Sequence, residues 1–364
     1  MNFFRENILK IVIVIAVLVI VIIVSVSLFS GKTISNTSYT NMEENMKRAA
    51  VKYTNQNQGL LPKSEGEIKT IKLDTLVNNK KIKELKALED ENITCTGYVS
   101  ISMKDKDYIY KPYLKCGKYY ETKTIADYIK ANEPVVTSDD GLYAYGEKLV
   151  YRGENPNNYV ALGDKIYRII EVTEDGSLKL ISTVQSQYTV VWDDRYNNEK
   201  NRNYGINNYS KSRIKDSLKE LYDDGEYFSA DDKKKIIKHD VCIGKKALDD
   251  VSIDGASECS VKEQNQYVSL IQVNEYMRAS VDQNCVASDR RECSNYNYLL
   301  QVSSDFRTVT AVSDNTYQVY DISYGVAEAT NASNRFRIYP VIYLDKDVLY
   351  KSGNGTSESP YTLR

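Results

Sequence analysis

Residues 336–364, FRIYPVIYLDKDVLYKSGNGTSESPYTLR, decide what kind of domain ends the chain. The β-branched and aromatic residues between positions 337 and 350 predict a long strand. Pro340 lies near the start of this strand, where its missing N–H does the least harm to a sheet. Asn354 and Gly355 predict a turn that leads into a last short strand. The chain therefore ends in a domain that contains a sheet.

The sequence before this strand predicts a mixed domain. From residue 131 onward, short strand patterns are separated by Asp-Gly and Asn-Pro turns. A helix that ends at Gly225 is predicted next. Its apolar face comprises Ile214, Leu218, Leu221 and Tyr222. The stretch SADDKKKIIKHD predicts a second helix, because Ser229 and Asp232 have the spacing of a capping box. Two main helices flanked by antiparallel strands predict a mixed α/β domain at 131–364.

The N-terminal third predicts a stalk helix and a small α+β head at residues 32–130. Apolar residues recur there at helical spacing: Met42, Met46, Ala49, Ala50 and Tyr53. A second short helix is predicted from Leu73, Leu76 and Val77. The stretch NITCTGYVSISMKDKDYIYKPYLKC then alternates like two strands around a charged turn. A cysteine at each outer end predicts a disulfide that clamps this hairpin.

An uncharged apolar run, IVIVIAVLVIVIIVSVSLFSG, occupies residues 11–31. It has about the 20 residues that a helix needs to cross a bilayer, so a transmembrane helix is expected. Arg5 and Lys10 precede it, and the positive-inside rule therefore predicts a cytoplasmic tail at residues 1–10. The rest of the chain is then extracellular, held at the cell membrane by a single span. The alternative is a cleaved signal peptide, with small serines near the end of the run.

The charge and the cysteine content of the chain limit the partners, disulfides and metal sites that can be expected. The 48 basic and 50 acidic residues nearly balance, so no nucleic-acid partner is predicted. The six cysteines of an exported chain predict three local disulfides. The pairs are Cys95 with Cys116, Cys242 with Cys259, and Cys285 with Cys293. No CxxC occurs and His239 is the only histidine, so no metal site is predicted. His239 is expected to be solvated at a helix end.

Four segments carry a family resemblance: YRGENPNNYVALGDKIYRIIEV, WDDRYNNEKNRNYGINNYSKSRIKDSL, VSLIQVNEYMRAS and RFRIYPVIYLDKDVLYKSGNGTSESPYTL. They resemble a widespread family of exported domains in Gram-positive bacteria, over about residues 138–364. The resemblance implies a C-type-lectin-like fold, related to the formylglycine-generating-enzyme scaffold, in which the tail is the last core strand and its hairpin. That enzyme's activity would need a reactive cysteine pair, and the cysteines of this chain are interpreted as structural.

The N-terminal third is similar to pilin-like or pseudopilin-like subunits through KLDTLV, CTGYV and YLKC. This similarity implies a membrane helix that continues into a stalk and a small head. A prepilin has a Gly-Phe processing site followed shortly by a Glu, whereas MNFFRENILK contains no glycine. The departure favours a plain signal anchor over a processed pilin.

The densest group of aromatic and polar residues is in WDDRYNNEKNRNYGINNYSKSR. Sugars bind against aromatic faces while carboxylate and amide groups fix their hydroxyls, and the same oxygens suit calcium. A ligand site is therefore predicted from Trp192, Asp193, Asp194, Asn197, Tyr204, Asn207, Asn208 and Tyr209. The alternative is that Trp192 belongs to the core and that the asparagines build turns. No cofactor is required, and calcium is the one ion that this site would suit.

Together these features predict a membrane-anchored surface protein that is not an enzyme. The predicted fold class is α+β: a transmembrane helix, a small pilin-like α+β head and a C-type-lectin-like mixed α/β domain. On the favoured interpretation, the disulfide-stapled domain binds a cell-wall or host glycan or a surface protein. The alternative is a minor pilin-like subunit or tip adhesin of an envelope assembly. The two interpretations differ in whether the first helices of several copies pack together.

Overall fold

The computed structural model describes residues 37–185, 189–282 and 297–364. Contacts divide the chain into two compact units, the first ending at Thr122 and the second comprising Lys123–Arg364. Each unit has its own hydrophobic core.

Several predictions fall outside the described residues. The predicted transmembrane segment 11–31 and the predicted cytoplasmic tail 1–10 are among them, and so is the predicted pair of Cys285 and Cys293. Within the described ranges, the structure contains no helix with both the length and the apolar character that a membrane span requires.

The first unit packs one long helix, α1 (Tyr39–Gln56), on a four-stranded antiparallel sheet. Ser38 caps α1, since its side chain accepts a hydrogen bond from Asn41 N at 3.1 Å. The predicted apolar face is buried, with Met42, Met46, Ala49 and Ala50 in the core. The sheet comprises, in spatial order, β1 (Lys69–Lys72), β2 (Thr96–Lys104), β3 (Asp107–Cys116) and β4 (Tyr120–Glu121), and the short helix α2 (Leu73–Asn78) follows β1.

The hairpin predicted in this unit is confirmed as β2 and β3. Its two turn residues, Asp105 and Lys106, have φ angles of +51° and +70°. Two left-handed residues in succession give a tight turn whose twist matches that of the strands. Cys95 and Cys116, at the outer ends of the hairpin, form the predicted disulfide.

The second unit is assembled mainly from short strands. These are β5 (Gly141–Tyr145), β6 (Lys148–Arg152), β7 (Tyr159–Leu162), β8 (Lys165–Val172), β9 (Leu178–Ser182), β10 (Val190–Val191), β11 (Ile236–Ile237), β12 (His239–Cys242), β13 (Lys245–Lys246), β14 (Lys262–Gln266), β15 (Val268–Ser269), β16 (Phe306–Val312), β17 (Gln318–Ser323), β18 (Val326–Asn331), β19 (Arg335–Phe336), β20 (Val341–Leu344), β21 (Tyr350–Ser352) and β22 (Thr362–Leu363). Its helices are α3 (Ile125–Asn132), α4 (Arg213–Asp223), α5 (Ala230–Lys235), α6 (Val273–Arg278) and α7 (Leu299–Val302).

Strand β20, from the closing stretch of the sequence, is an interior strand of an eight-stranded sheet and lies next to the edge strand β11. It pairs antiparallel with β9 on one side and with β11 and β15 on the other. The sheet continues from β9 through β8 and β6 to β5, and β7 also pairs with β8. Val341, Ile342 and Leu344 are fully buried, which is why this stretch is so strongly apolar.

The long strand predicted over positions 337–350 is interrupted in the structure. Val348 N donates to Asp345 O at 3.0 Å, and Asp347 N donates to Asp345 Oδ1 at 2.8 Å. This local turn separates β20 from β21, because an aspartate side chain can bond the backbone two residues on. The chain end then returns to β7, where Ala161 N donates to Tyr361 O at 2.8 Å.

A second sheet has the order β13-β16-β17-β18. Strands β16 and β17 form an antiparallel hairpin in this sheet. The remaining strands form separate pairs, β10 with β19, β12 with β14 and β21 with β22.

The predicted α+β fold class, including a lectin-like mixed α/β domain with two main helices, is wrong. The described residues are mostly β, with 34% in strands and 21% in helices, and no membrane-spanning helix is found among them. Helix α4 forms as predicted, but the second predicted helix stops at Lys235 although the capping box of Ser229 and Asp232 is present. Ile236 and Ile237 join the edge of β20 instead, because β-branched residues fit a buried sheet better than a helix.

Candidate ligand pocket

The ligand site predicted from the sequence lies around one loop of the second unit, and most of its residues are buried. Trp192 is fully buried at 0% exposure, and its ring lies edge-on to that of Tyr209, with 6.1 Å between ring centroids. A ring without an exposed face offers no surface on which a sugar can stack. The structure therefore places Trp192 and Tyr209 in the core.

Two polar residues of the predicted site hold the loop in its conformation. Asp193 is buried and accepts hydrogen bonds from Arg195 N at 3.1 Å and from Ile206 N at 3.0 Å. Asn197 is also buried, and its Nδ2 donates to Gly205 O at 2.9 Å. These polar atoms are occupied by bonds within the loop.

Asn207 fastens the loop to the second sheet. Its Nδ2 donates to the carbonyl oxygens of Val312, Asn315 and Gln318 at 2.9, 2.9 and 2.8 Å. Its Oδ1 accepts a hydrogen bond from Lys245 Nζ at 2.6 Å. An amide with so many partners of its own has little capacity left for a ligand.

Three of the eight predicted residues reach the surface. Asp194 and Tyr204 are half-buried, and Asn208 is exposed. Asp194 pairs with Arg213, and the ring of Tyr204 lies 6.1 Å from that of Tyr317. The structure brings all eight predicted residues together around one loop, but it leaves only this smaller group accessible from outside.

A second candidate is a polar cavity of about 180 Å³ in the same unit, between the eight-stranded sheet and helix α6. We call it the polar pocket. Its buried wall is formed mainly by Glu171, Lys179, Gln272, Asn274 and Glu275, and half-buried His239 lies beside them. Exposed Asp240 and Asp254 also contribute to its lining. The lining also includes apolar residues, among them Val241 and Leu270, but this many polar side chains around one small cavity is unusual inside a folded unit.

The register of the sheet places three polar side chains of the pocket side by side. Lys179 pairs with Glu171 on β8 and with Tyr343 on β20. The register shifts between Ile169 and Glu171, which marks a β-bulge. Such a bulge changes the face on which the following side chain lies. Glu171 therefore reaches the same face as Lys179.

The charges on the buried wall are paired. Lys179 Nζ bonds to Glu275 Oε1, and Lys148 Nζ lies 2.9 Å from Glu171 Oε2. Burial lowers the pKa of Lys179, but the carboxylate of Glu275 outweighs it, so this pKa lies above its usual range. Burial raises the pKa of Glu275, but Lys179 outweighs it, and this pKa lies below its usual range. Both groups are therefore charged at neutral pH.

Helix α6 is short, and hydrogen bonds to two carboxylates fix its first turn. Buried Glu258 accepts from Val273 N at 3.0 Å and from Asn274 N at 3.1 Å. Gln272 N donates to Glu275 Oε2 at 3.0 Å, and the side chain of Gln272 accepts from Glu275 N in a capping box. These bonds hold the wall of the polar pocket in place.

Two amide atoms of this wall are buried without a partner among the described residues, Gln272 Nε2 and Asn274 Oδ1. The two residues are only 7% and 5% exposed. Gly255 makes room for Asn274, since its φ is +78° and a Cβ at this position would lie 1.7 Å from Asn274 Nδ2. An unpaired buried polar group costs about 1–3 kcal/mol. A ligand that supplies the missing partners is therefore favoured.

The expectation that His239 is solvated at a helix end is wrong. The helix ends at Lys235, and the ring of His239 lies 4.2 Å from that of Tyr343. Burial, and then the charge of Lys179, lower the pKa of His239 to about 3. Its Nε2 lies 3.3 Å from Ser269 Oγ, as in a base–nucleophile pair. An imidazole with so low a pKa is a poor general base near neutral pH.

The predicted disulfide between Cys242 and Cys259 is confirmed, and both cysteines line the polar pocket. It closes the loop 243–258, which carries Gly255 and Glu258. This loop supports helix α6 through the two bonds of Glu258. The disulfide therefore stabilises one side of the pocket.

The polar pocket could not be predicted from the sequence because its residues come from distant segments. A signal was present: Lys179 lies between Leu178 and Leu180 in a short apolar stretch. A lysine inside a buried strand needs an acidic partner. Nothing local in the sequence shows that this partner is Glu275.

The described residues also show whether the chain groups enough side chains to hold a metal ion. In 37–185, 189–282 and 297–364, no three or more His, Cys, Asp or Glu side chains are grouped so that they could hold a metal ion. Asp193 and Asp194, the carboxylates predicted to suit calcium, pair instead with Arg195 and Arg213.

Comparison with known proteins found no matching family model, no matching curated protein and no matching solved structure. The lectin-like and pilin-like resemblances therefore have no support beyond the sequence segments that suggested them.

Proposed function

We propose that the chain is a membrane-anchored extracellular binding protein whose second unit holds a small polar ligand in the polar pocket. The observation that carries this proposal is the pair of buried, unpartnered amide atoms, Gln272 Nε2 and Asn274 Oδ1. Buried polar atoms are almost always hydrogen-bonded. A ligand that bonds to both atoms would remove the cost of leaving them unpaired.

Binding explains the chemistry of the pocket better than catalysis does. Lys179 and Glu275 neutralise one another, so neither is a free acid or base. The lowered pKa of His239, about 3, makes its imidazole a weak acceptor of protons from Ser269. We therefore propose a binding protein and not an enzyme.

Two features support a position outside the cell. Cys95 with Cys116 and Cys242 with Cys259 form disulfides, which persist in oxidising compartments. The uncharged run 11–31 supports anchoring at the membrane. A ligand in this setting is a glycan or protein of the cell wall or of a host surface.

The proposal is tested with an array of glycans, cell-wall fragments and surface proteins, probed with the full chain in lipid nanodiscs, with and without calcium. Gln272→Glu keeps the oxygen that caps α6 but replaces the unpartnered donor with an acceptor. The matched control is Gln264→Glu, which makes the same change at an exposed position outside the pocket. Binding that is lost in Gln272→Glu and kept in Gln264→Glu supports the polar pocket.

The same array also examines the loop that the sequence predicted. Asp194→Asn and Asn208→Asp change its accessible polar groups with little effect on the core. If these variants abolish binding and Gln272→Glu does not, the loop is the site and the polar pocket is not. Absence of specific binding to every component would reject a binding function.

A further inference from the structure

We infer that the polar pocket takes one neutral sugar residue, as the end or a side branch of a glycan. This inference rests on the binding function proposed above and specifies the class of ligand. It follows from three properties of the pocket: its volume, its charge balance and the chemistry of its unpartnered atoms.

The volume limits the ligand to a single small group. At about 180 Å³, the cavity is smaller than the roughly 300–1,000 Å³ of pockets that bury drug-sized molecules. A cavity of this size suits one sugar ring and excludes a longer buried segment of a chain. The rest of a glycan would have to lie outside, where Asp240 and Asp254 are exposed.

The charge balance favours a ligand without net charge. The charged side chains that line the pocket nearly balance, with Lys148, Lys179 and Arg278 against Glu171, Asp240, Asp254 and Glu275. Lys179 is bonded to Glu275, and Glu171 is bonded to half-buried Lys148. A carboxylate or phosphate in the pocket would have to compete with these acids for their cations. An ammonium group would have to compete with the lysines.

Arg278 is also held by contacts of its own. Its guanidinium lies 4.3 Å from the centroid of the Tyr145 ring, and Nη1 donates to Ile253 O at 3.5 Å. The Tyr343 ring, for its part, packs against His239. The lining mixes polar groups with apolar ones such as Val241 and Leu270, so a purely apolar ligand would leave the polar atoms of the pocket without partners.

The unpartnered atoms of the pocket are uncharged and of both kinds. Gln272 Nε2 is a donor and Asn274 Oδ1 is an acceptor. His239 also lines the pocket, and its ring interacts with Ser269 Oγ and with the backbone of Ile237. A neutral imidazole nitrogen can donate or accept, depending on its tautomer. Sugar hydroxyls both donate and accept, and an acetamido group offers one atom of each kind. A neutral sugar, with or without an acetamido group, is the ligand that satisfies this set.

The experiment is isothermal titration of the full chain in lipid nanodiscs with four probes: glucose, N-acetylglucosamine, glucuronic acid and glucosamine. The first two are neutral, the third is an anion and the fourth is a cation at neutral pH. We expect at least one neutral probe to bind, and both charged probes to bind at least tenfold more weakly. Gln272→Glu should weaken the neutral probe about tenfold, as expected for the loss of one buried hydrogen bond. Gln264→Glu should leave its affinity unchanged.

A second variant keeps the test valid if Gln272→Glu disturbs the cap of α6. Asn274→Leu removes the acceptor from the same wall, and it should also weaken the neutral probe about tenfold. Preferred binding of a charged probe that responds to these variants would overturn the inference while leaving the proposed binding function in place. If no probe binds, the neutral-sugar inference is wrong. The response of the array to Gln272→Glu then decides the proposed function separately.

Discussion

Replacing Lys179 with methionine should destabilise the second unit by about 3–5 kcal/mol at pH 7. The change removes the cation bonded to Glu275 and leaves that carboxylate buried at 5% exposure. Breaking a buried ion pair from one side costs this much because the remaining charge is uncompensated. Methionine has a similar length, so the loss should come from the charge and not from a cavity.

The pH dependence of this deficit follows from the pKa of Glu275. In the unchanged chain, Lys179 helps to hold the pKa of Glu275 below its usual range. The ion pair therefore stabilises the fold fully above the unfolded pKa of about 4.3. This stabilisation is lost as the pH falls through the lowered pKa of the folded state. In the variant, burial is opposed only by the hydrogen bond from Gln272 N and the charge of Arg278, so we expect the pKa of this carboxyl to rise above the unfolded value. A carboxyl whose pKa is higher in the folded state destabilises the fold at a pH above its unfolded pKa. It no longer destabilises the fold once it is protonated in both the folded and the unfolded state. The deficit should therefore shrink toward pH 4.

Urea unfolding followed by tryptophan fluorescence is the assay. Trp192 is the only tryptophan of the chain and is fully buried in the second unit, so its emission reports the unfolding of this unit. The matched control is Lys219→Met, which removes an exposed lysine paired with Asp223 and should change stability by less than about 1 kcal/mol. Adding Glu275→Gln to Lys179→Met should restore most of the lost stability, since no unpaired charge remains.

Two results would contradict this reasoning. The first is a deficit at pH 7 no larger than that of the surface control. The second is a deficit of equal size at pH 7 and at pH 4. An uncompensated carboxylate cannot produce it, because the carboxyl becomes protonated as the pH approaches 4. A packing defect would give that second result, and it would also persist in the double variant.

Three further predictions concern other parts of the chain. Burial, outweighing a neighbouring guanidinium, raises the pKa of Asp321 to about 6, above an unfolded value of about 3.9. This residue should therefore stabilise the second unit increasingly as pH falls from about 6 to 4, and the contribution should be absent in Asp321→Asn when unfolding is followed by fluorescence. Gly255→Ala should lower the free energy of unfolding by about 2 kcal/mol or more in the same assay. The control Gly146→Ala, also at positive φ but with open space around its Cβ, should lower it by about 1 kcal/mol. Equal losses in the two variants would contradict the close approach of Gly255 to Asn274. Replacing Cys95 and Cys116 together with serine should destabilise the first unit by about 3 kcal/mol, measured by circular dichroism, and no loss would mean that the bond does not form.

Features encoded by neighbouring residues could be predicted from the sequence. The apolar spacing of Met42 and Met46 identified α1, and the cysteines at the ends of the first hairpin identified its disulfide. The capping box of Ser229 and Asp232 was also identified. In each case the deciding interaction spans few residues or joins the two ends of one hairpin. The length of α5 could not be predicted, since it depends on pairing with β20, more than a hundred residues later.

The loop around Trp192 shows why the composition of a segment did not define its role. Asparagine and aspartate bind hydroxyls in a sugar site, but they also bond to backbone groups in turns. Asn207 makes its bonds to three carbonyl groups and a lysine of its own chain, and Asp193 bonds two backbone N–H groups. The sequence pattern is the same in either case. Only the positions of the partner groups distinguish a structural loop from a binding loop.

Strand β20 links the fold of the second unit to the polar pocket. Successive residues of a strand point to opposite faces, so Tyr343 lies on the face opposite to Ile342 and Leu344. The register pairs Tyr343 with Lys179 and Ile342 with Leu180. A slip of one residue would turn Tyr343 into the apolar core and present apolar side chains to the pocket. The apolar residues that fix this register therefore also assemble the polar wall. Substitutions that shift β20 should lose stability and ligand binding together, whereas Gln264→Glu, at an exposed position outside the pocket, should keep both.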